Sequence, residues 1–378
     1  MSDKLQRAGI YIHFPFCLSR CSYCDFVTEI YRDEDFVEKY IAAICKEISL
    51  SAASPYQVDT IYFGGGTPSL LKSSQLERIL KIIDLKFSLM FDELEITLEM
   101  NPASISLEKL KQFKSLGINR ASFGVQTFDD YLLRILSRRH TAKQSIETFH
   151  LLRKAGFDNV SFDLIVGLPH QTMQIWKDDL KKAIDLNPEH LSLYLLEIHE
   201  GTPLAKQIRS QRQPQPDEDL SAEMYKTMIE CLENSGYVQY EISNFARSGF
   251  QSRHNLKYWR CSPVFGFGVS AFSFCDGRRW SNEKNIKKYI ETVESGRLPI
   301  NFTENVNLAS EFAFLGLRLA DGINLDEYKQ RFGFDLLEQF HDEIEKFQKL
   351  GLVEIKEGSL RLTKQGMIYS NEVFMIFV

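Results

Sequence analysis

Short apolar runs rich in β-branched and aromatic residues alternate with amphipathic stretches from residue 9 to about residue 236. Runs of this kind are typical of buried strands, and apolar residues at helical spacing are typical of helices that cover a sheet. The predicted strands are Gly9–Phe14, Thr60–Phe63, Leu94–Met100, Arg120–Val125, Val160–Val166 and Leu191–Glu197. The predicted helices are Asp35–Ser51, Ser74–Phe87, Leu107–Leu116, Ala142–Lys154, Ile175–Leu186 and Leu220–Asn234. Six successive β–α units predict parallel strands joined by helical crossovers.

The pattern predicts an α/β fold built on an incomplete, six-unit β/α barrel, with functional residues at the carboxyl ends of the strands. Gly117 and Gly156 follow two predicted helices, where a residue with positive φ commonly ends a helix. We assign residues 1–236 to the barrel, 237–306 to an aromatic and glycine-rich connecting region, and 307–378 to a winged-helix-like module. The last assignment rests on three helical patterns followed by a predicted hairpin around Glu357 and Gly358.

The composition is that of an ordinary globular protein, with 44% hydrophobic and 25% charged residues. The net charge of −6, from 45 basic and 51 acidic residues, argues against a general nucleic-acid-binding surface. The polar first residues carry no apolar segment of the signal-peptide type, and no run of about 18 apolar residues occurs. We therefore expect a cytoplasmic protein without a membrane span. Its seven cysteines, an odd number, favour metal or redox sites over a disulfide framework.

The sharpest local signal is the C-x3-C-x2-C spacing of Cys17, Cys21 and Cys24, directly after the first predicted strand. Thiolates are the usual ligands of iron–sulfur clusters, and three of them leave one iron of a four-iron cluster open to a substrate or cofactor. The alternative is a zinc site completed by His13 or a distant cysteine, which is disfavoured because closed zinc sites usually supply two separated pairs of ligands. We interpret the other cysteines as buried free thiols, namely Cys45, Cys231, Cys261 and Cys275.

The segment Tyr11–Cys17, continued by Cys21, Cys24 and Phe26, resembles the radical S-adenosylmethionine (SAM) proteins of the coproporphyrinogen oxidase group. The resemblance covers essentially the whole chain. It implies a partial (β/α)6 TIM-like radical SAM barrel with a C-terminal α+β extension. It also implies a [4Fe-4S] cluster on Cys17, Cys21 and Cys24, with SAM bound at the open iron.

Polar residues follow or end several predicted strands. The glycines of GGGTP, Gly64–Pro68, are expected to let the backbone approach a ligand and to expose N–H groups. Glu99 ends the third strand, Gln126 ends the fourth, and Asp163 lies within the fifth. An aspartate inside a buried parallel strand requires a partner, and Arg138 is predicted to supply the charge.

By resemblance, ten residues fall on positions at which the family contacts SAM. They are Tyr11, Tyr23, Gly65, Gly66, Thr67, Glu99, Gln126, Arg138, Asp163 and Leu195. Leu195 matches a position that contacts SAM mainly through its backbone.

This family has two branches, the oxygen-independent coproporphyrinogen III oxidase (dehydrogenase) and a heme chaperone. Three sequence features help to distinguish between them. The dehydrogenase carries a fourth motif cysteine where this chain has Phe26, and a longer arm before its first strand, whereas eight residues precede Gly9 here. HNLKYW, residues 254–259, resembles the chaperone's H-N-x-x-Y-W signature. Imidazole is a common axial ligand of heme iron. The resemblance therefore implies that His254 contacts heme, with Tyr258 and Trp259 against the porphyrin face.

These features imply a chaperone that binds heme, a [4Fe-4S] cluster and SAM and passes heme to acceptor hemoproteins, respiratory enzymes among them. The alternative is the dehydrogenase reaction of porphyrin biosynthesis, the oxidative decarboxylation of porphyrinogen propionates. A DNA-binding role for the winged-helix-like end is disfavoured by the net charge.

Overall fold

The computed structural model describes residues 6–52 and 55–377. Six parallel strands lie side by side in chain order in one sheet, which confirms the predicted strand series. They are β1 (Arg7–Phe14), β2 (Gln57–Gly65), β3 (Glu95–Met100), β4 (Arg120–Gln126), β5 (Val160–Val166) and β6 (His190–Leu195). Among the described residues no backbone pairing joins β6 back to β1, so the barrel is partial.

Eight α-helices in the described residues connect or follow these strands. They are α1 (Glu34–Leu50), α2 (Ser73–Lys86), α3 (Leu107–Ser115), α4 (Asp130–Ile135), α5 (Ala142–Lys154), α6 (Met173–Leu186), α7 (Pro203–Arg209) and α8 (Glu218–Asn234). Six of them match the predicted helices, and the two shorter ones, α4 and α7, were not predicted. Gly117 and Gly156 follow α3 and α5 with φ values of 94° and 87°, so both act as the predicted helix-ending residues. Residues 211–216 form the predicted loop between α7 and α8.

The connecting region extends the same sheet at both edges. Its elements are β7 (Val238–Glu241), β8 (Asn244–Ala246), α9 (Arg253–Trp259), β9 (Val264–Phe267), β10 (Phe272–Cys275), β11 (Arg278–Asn282), α10 (Ile286–Glu294) and β12 (Ile300–Asn305). Strand β8 pairs antiparallel with β6, whereas β9 pairs parallel with β1 and begins the antiparallel series β9–β12. The short helix α9 carries the HNLKYW motif.

The last part of the chain combines small helices with a three-stranded antiparallel sheet, as a winged-helix-like module requires; the two residues Ile323–Asn324 form the third strand of this sheet. The elements are α11 (Leu308–Gly316), α12 (Leu325–Phe332), α13 (Leu336–Gln339), α14 (His341–Lys349), β13 (Val353–Lys356), β14 (Ser359–Leu362), α15 (Lys364–Ile368) and α16 (Ser370–Phe374). Glu357 and Gly358 have φ values of 52° and 77° and form the predicted hairpin turn.

One large hydrophobic core runs through all three segments of the chain, and a small separate cluster forms around Leu132 and Leu136. The large core includes Ile12 of β1, Phe267 of β9 and Leu317 after α11, each buried. The boundaries at residues 236 and 306 therefore remain a prediction, because the packing is continuous across them. No helix in the described part of the chain is both long and apolar enough to span a bilayer.

Candidate cofactor site

The three cysteines of the motif lie on one loop at the carboxyl ends of the strands. Strand β1 ends at Phe14, and the loop that follows brings Cys17, Cys21 and Cys24 to the wall of a cavity of about 470 Å³. Burial raises the pKa of the Cys17 thiol and raises that of Cys24 to about 11. A bound cation is therefore needed to hold these sulfurs as thiolates near neutral pH, as iron does in a cluster.

The donor set fits a cluster better than a single ion. No three His, Cys, Asp or Glu side chains of the described residues converge on one metal position. In a four-iron cluster each thiolate binds a different iron, so its ligands face one cavity without converging on a point. Two cysteine sulfurs also receive hydrogen bonds, one from Thr67 Oγ1 to Cys17 Sγ at 3.5 Å and one from Arg138 Nη1 to Cys21 Sγ at 3.4 Å.

Asn101 connects these two donors. Its Nδ2 donates to Thr67 Oγ1 at 2.7 Å, and its Oδ1 accepts from Arg138 Nη2 at 2.8 Å. Arg138 Nη2 also donates to the carbonyl oxygen of Gly124 at 2.7 Å. Asn101 was not among the predicted site residues, although an asparagine directly after a strand, in LEMNP, was a usable signal.

The GGGTP loop packs directly against the start of the cysteine loop. A Cβ on Gly66 would lie 2.7 Å from the carbonyl oxygen of Phe16, so this approach requires glycine. The expectation that the loop exposes its N–H groups is wrong for three of them. Gly65 N donates to Glu99 at 3.1 Å, Gly66 N donates to the carbonyl of Phe14, and Thr67 N donates to the carbonyl of Phe16. The glycines thus fix the position of the cysteine loop, and Gly65 and Gly66 still line the cavity.

Two carboxylates and a buried arginine line the floor of the cavity. Burial raises the pKa of Glu99 to about 7 and that of Asp163 to about 6. The strongest charge that opposes this shift at Asp163 is Arg120, not the predicted Arg138, whose guanidinium is directed to Cys21 and Asn101.

Arg120 is the main residue that the sequence analysis missed at this site. It is the first residue of β4, is only 1% exposed and lines the cavity. Its Nε has no hydrogen-bond partner among the described residues. The sequence signal that could have identified it is an arginine at the start of a fully buried strand, because a buried charge is costly without a function or a partner.

Eight of the ten predicted SAM contacts line the same cavity. They are Tyr23, Gly65, Gly66, Glu99, Gln126, Arg138, Asp163 and Leu195. The other two lie behind its wall. Thr67 is 2% exposed and contacts Cys17, while Tyr11 hydrogen-bonds His13 Nδ1 at 3.1 Å and stacks on Tyr62. The structure therefore gathers all ten residues in or beside one cavity, and SAM contact for each of them remains a proposal.

Helix α9 lies across the opposite, amino-terminal end of the strands. Glu95, the first residue of β3, accepts hydrogen bonds from the backbone N–H groups of Arg253 and His254 and so holds the start of the helix. His254 is 1% exposed, and its ring lies between Thr60 Oγ1, 2.9 Å from Nδ1, and Tyr258 OH, 3.1 Å from Nε2. Burial lowers the pKa of His254 to about 3, so the ring is neutral.

This position bears on the expected heme contact of His254. Both ring nitrogens already have hydroxyl partners inside the barrel, so an axial bond to heme iron would require one of these hydrogen bonds to break. Trp259 lies under the guanidinium of Arg318, with Cζ 4.3 Å from the ring centroid. The geometry thus gives the motif a packing role and offers no support for His254 as a ready ligand.

The remaining cysteines do not line the cavity of the motif. Cys261 is buried, as expected, whereas Cys45, Cys231 and Cys275 are partly exposed, so the expectation of buried thiols is wrong for these three.

Comparison with known proteins now decides the family. A family model of the radical SAM superfamily matches residues 11–183, and one of the HemN C-terminal domain matches residues 305–369. The heme chaperone HemW of Bacillus subtilis is 36% identical over 97% of this chain and 98% of its own length. The heme chaperone HemW of Haemophilus influenzae is 31% identical over 99% of both chains. The chain belongs to the HemW family of radical SAM proteins.

Two further likenesses extend across the same family. A mitochondrial radical S-adenosyl methionine domain-containing protein 1 of Danio rerio is 35% identical over 85% of this chain and 76% of its own length. Among solved structures, coproporphyrinogen III oxidase (HemN) of Escherichia coli, described as a radical SAM enzyme, superposes with a TM-score of 0.85. It is 25% identical and covers 99% of this chain and 90% of its own. Membership of the HemW family implies a [4Fe-4S] cluster and SAM, which the cysteine loop and its cavity fit.

Proposed function

We propose that this protein is a heme chaperone that holds a [4Fe-4S] cluster and SAM and passes bound heme to acceptor hemoproteins. The observation that carries the proposal is the similarity to HemW heme chaperones along nearly the whole of both chains. Two sequence features support this branch of the family: the HNLKYW helix, and Phe26 at the position where the dehydrogenase has a fourth motif cysteine.

The residues around the cavity divide into two groups. Cys17, Cys21 and Cys24 would hold the cluster, whose open iron binds SAM and can pass it one electron. Glu99 and Asp163 supply negative charge on the floor, which suits the ammonium and sulfonium groups of SAM and its ribose hydroxyls. Arg138 and Thr67 donate to the cysteine sulfurs and orient the loop.

A second function is the dehydrogenase reaction on a porphyrinogen. The full-length likeness to HemN favours it, because the barrel and the C-terminal domain are shared. Against it stands Phe26, 59% exposed at the cavity, where the dehydrogenase has a cysteine. Expression in a strain that lacks the dehydrogenase separates the two. The chaperone proposal predicts no anaerobic growth, and growth on this gene alone would refute it.

The direct test is anaerobic heme loading of the full chain with its cluster reconstituted. Heme retained after gel filtration is quantified by absorbance, before and after denaturation, and then offered to an apo-hemoprotein such as apomyoglobin. Stoichiometric retention followed by transfer is the expected result. Absence of saturable binding would contradict the proposal and favour an enzyme. A Cys17→Ala variant, run in parallel, shows whether heme retention depends on the cluster.

We place this function in the cytoplasm, because the described part of the chain carries seven free thiols, which persist in a reducing compartment. The acceptors proposed are hemoproteins, respiratory enzymes among them, as the family resemblance implies.

A further inference from the structure

A second cavity lies at the amino-terminal end of the barrel, on the outer side of helix α9. It has a volume of about 630 Å³, within the range of small-molecule sites. Its wall combines the start of β1, helix α9, the β10–β11 turn and the C-terminal module. Strand β1 has eight residues, so at about 3.3 Å per residue roughly 25 Å separates this cavity from the cysteine loop.

Positive charge is in excess on the inner wall of this cavity. The carboxylate of Asp59, 4% exposed, is shared by three cations, with distances of 2.6 Å to Lys257 Nζ, 3.0 Å to Arg253 and 3.7 Å to Arg7. Arg7 has a second partner in Glu93 at 2.7 Å. Asp59 is therefore the one carboxylate partner that Arg253 and Lys257 share among the described residues, and Lys257 is only 7% exposed.

Two further guanidinium groups, of Arg260 and Arg331, line the cavity. Arg260 forms no ion pair and no side-chain hydrogen bond with the described residues, and Arg331 contacts the rings of Phe312 and Phe332 without a carboxylate partner. Of the described residues on this wall, Asp276 is the other acid, and it already accepts a hydrogen bond from Tyr56. Five cations thus face two carboxylates on the wall and Glu93, which pairs with Arg7, so the remaining positive charge suits an anionic ligand with more than one negative group.

Apolar side chains line the cavity together with these charges. Leu256, Pro263, Phe274 and Leu308 line the same cavity. A lining that combines apolar side chains with basic groups suits a hydrophobic molecule that carries carboxylates. A tetrapyrrole with propionate groups has this chemistry, and a small inorganic anion would not use the apolar surface.

We propose that heme binds in this cavity, with its propionates held by Arg260, Arg331 and Lys257. The inference rests on the proposed heme chaperone function and names the site for it. The signature helix then contacts heme through its outer, basic side, while His254 on its inner side packs inside the barrel. Heme and SAM occupy opposite ends of the same strands, so no reaction between them is required for heme transfer.

The test measures equilibrium binding of heme, protoporphyrin IX and heme dimethyl ester to the full, cluster-reconstituted chain. The variants are Arg260→Gln, Arg331→Gln and the double variant. The control is Arg212→Gln with Arg297→Gln, because each of these exposed arginines bonds a serine hydroxyl two residues earlier, outside the cavity. Among the described residues Arg260 has no side-chain hydrogen bond, ion pair or ring contact that its replacement would break, so this single variant is informative even if the double variant loses stability. The iron content and the SAM affinity of each variant show whether it is correctly folded.

We expect each lost guanidinium to weaken heme binding about tenfold, as for a charge-assisted hydrogen bond. Protoporphyrin IX should follow heme, the ester should bind far more weakly, and the control pair should bind like the wild type. Wild-type affinity of the Arg260 and double variants, or tight binding of the ester, would overturn the site while leaving the chaperone function intact. Failure of the wild type to bind heme would instead remove the proposed function and this inference with it.

Discussion

The guanidinium of Arg138 lies 3.4 Å from Cys21 Sγ, close enough to donate a hydrogen bond to a cluster thiolate. Donors to cysteine sulfur raise the reduction potential of an iron–sulfur cluster, because they stabilise the more negative reduced form. Asn101 holds both Arg138 and Thr67, the donor to Cys17, so one side chain sets two such bonds.

Asn101→Ala is therefore expected to retain iron but to lower the reduction potential of the cluster by tens of millivolts, because two sulfur donors lose their support. Potentiometric titration followed by electron paramagnetic resonance measures the change. Asn371→Ala, an exposed asparagine in α16, is the matched control. An unchanged potential would show that Arg138 and Thr67 do not depend on Asn101.

Replacement of Cys17, Cys21 or Cys24 by alanine should abolish the brown colour and the iron content of the reconstituted protein, because each thiolate binds its own iron. Cys45→Ala, a partly exposed cysteine on α1, should retain both. Iron and absorbance retained in a motif variant would contradict the cluster assignment.

Asp163→Asn should weaken SAM binding by about tenfold or more without loss of iron, because it removes a negative charge from the cavity floor. Since burial raises the pKa of Asp163 to about 6, wild-type affinity for SAM should fall as the pH drops through this value. Calorimetric titration from pH 5 to pH 8 checks both. A pH profile that is the same in wild type and variant would exclude Asp163 as its origin.

Glu99 is expected to reduce the stability of the SAM-free protein at neutral and alkaline pH. Its folded-state pKa of about 7 exceeds the ordinary value of 4.5, so the folded protein binds a proton that the unfolded chain has lost. Stability therefore falls as the pH rises from about 4.5 to about 7. Glu99→Gln should raise the free energy of unfolding by about 1–2 kcal/mol at pH 8, with little change near pH 4.5. Thermal midpoints at the two pH values test this, and equal shifts at both would contradict it.

His254→Ala should destabilise the fold by about 2–4 kcal/mol, because it leaves a cavity and two buried hydroxyls, of Thr60 and Tyr258, without their partner. The heme absorption band of the loaded variant should match that of the wild type. A displaced heme band in a variant that still holds the iron of its cluster would identify His254 as the heme ligand, as the family resemblance implies.

The barrel and the hairpin could be predicted because their signals are local. Alternating apolar runs identify the strands, and Gly117, Gly156 and Gly358 identify the turns by their conformational freedom. The cysteine spacing was equally local. Three features could not be predicted, because they depend on which side chains meet inside the barrel. They are the partner of Asp163, the role of Asn101 and the hydrogen bonds made by the N–H groups of the GGGTP loop. Which side chains meet is set by the register between neighbouring strands, such as Gly124 beside Asp163.

Helix α9 borders both cavities, with Asn255 on the SAM side and Arg253 and Leu256 on the other. The two cavities therefore share the mechanical freedom of this one short helix. If heme displaces that helix, the affinity for SAM changes, and thermodynamic reciprocity then makes SAM alter heme retention by the same factor. In such a protein the cofactor would act as a release signal for the cargo.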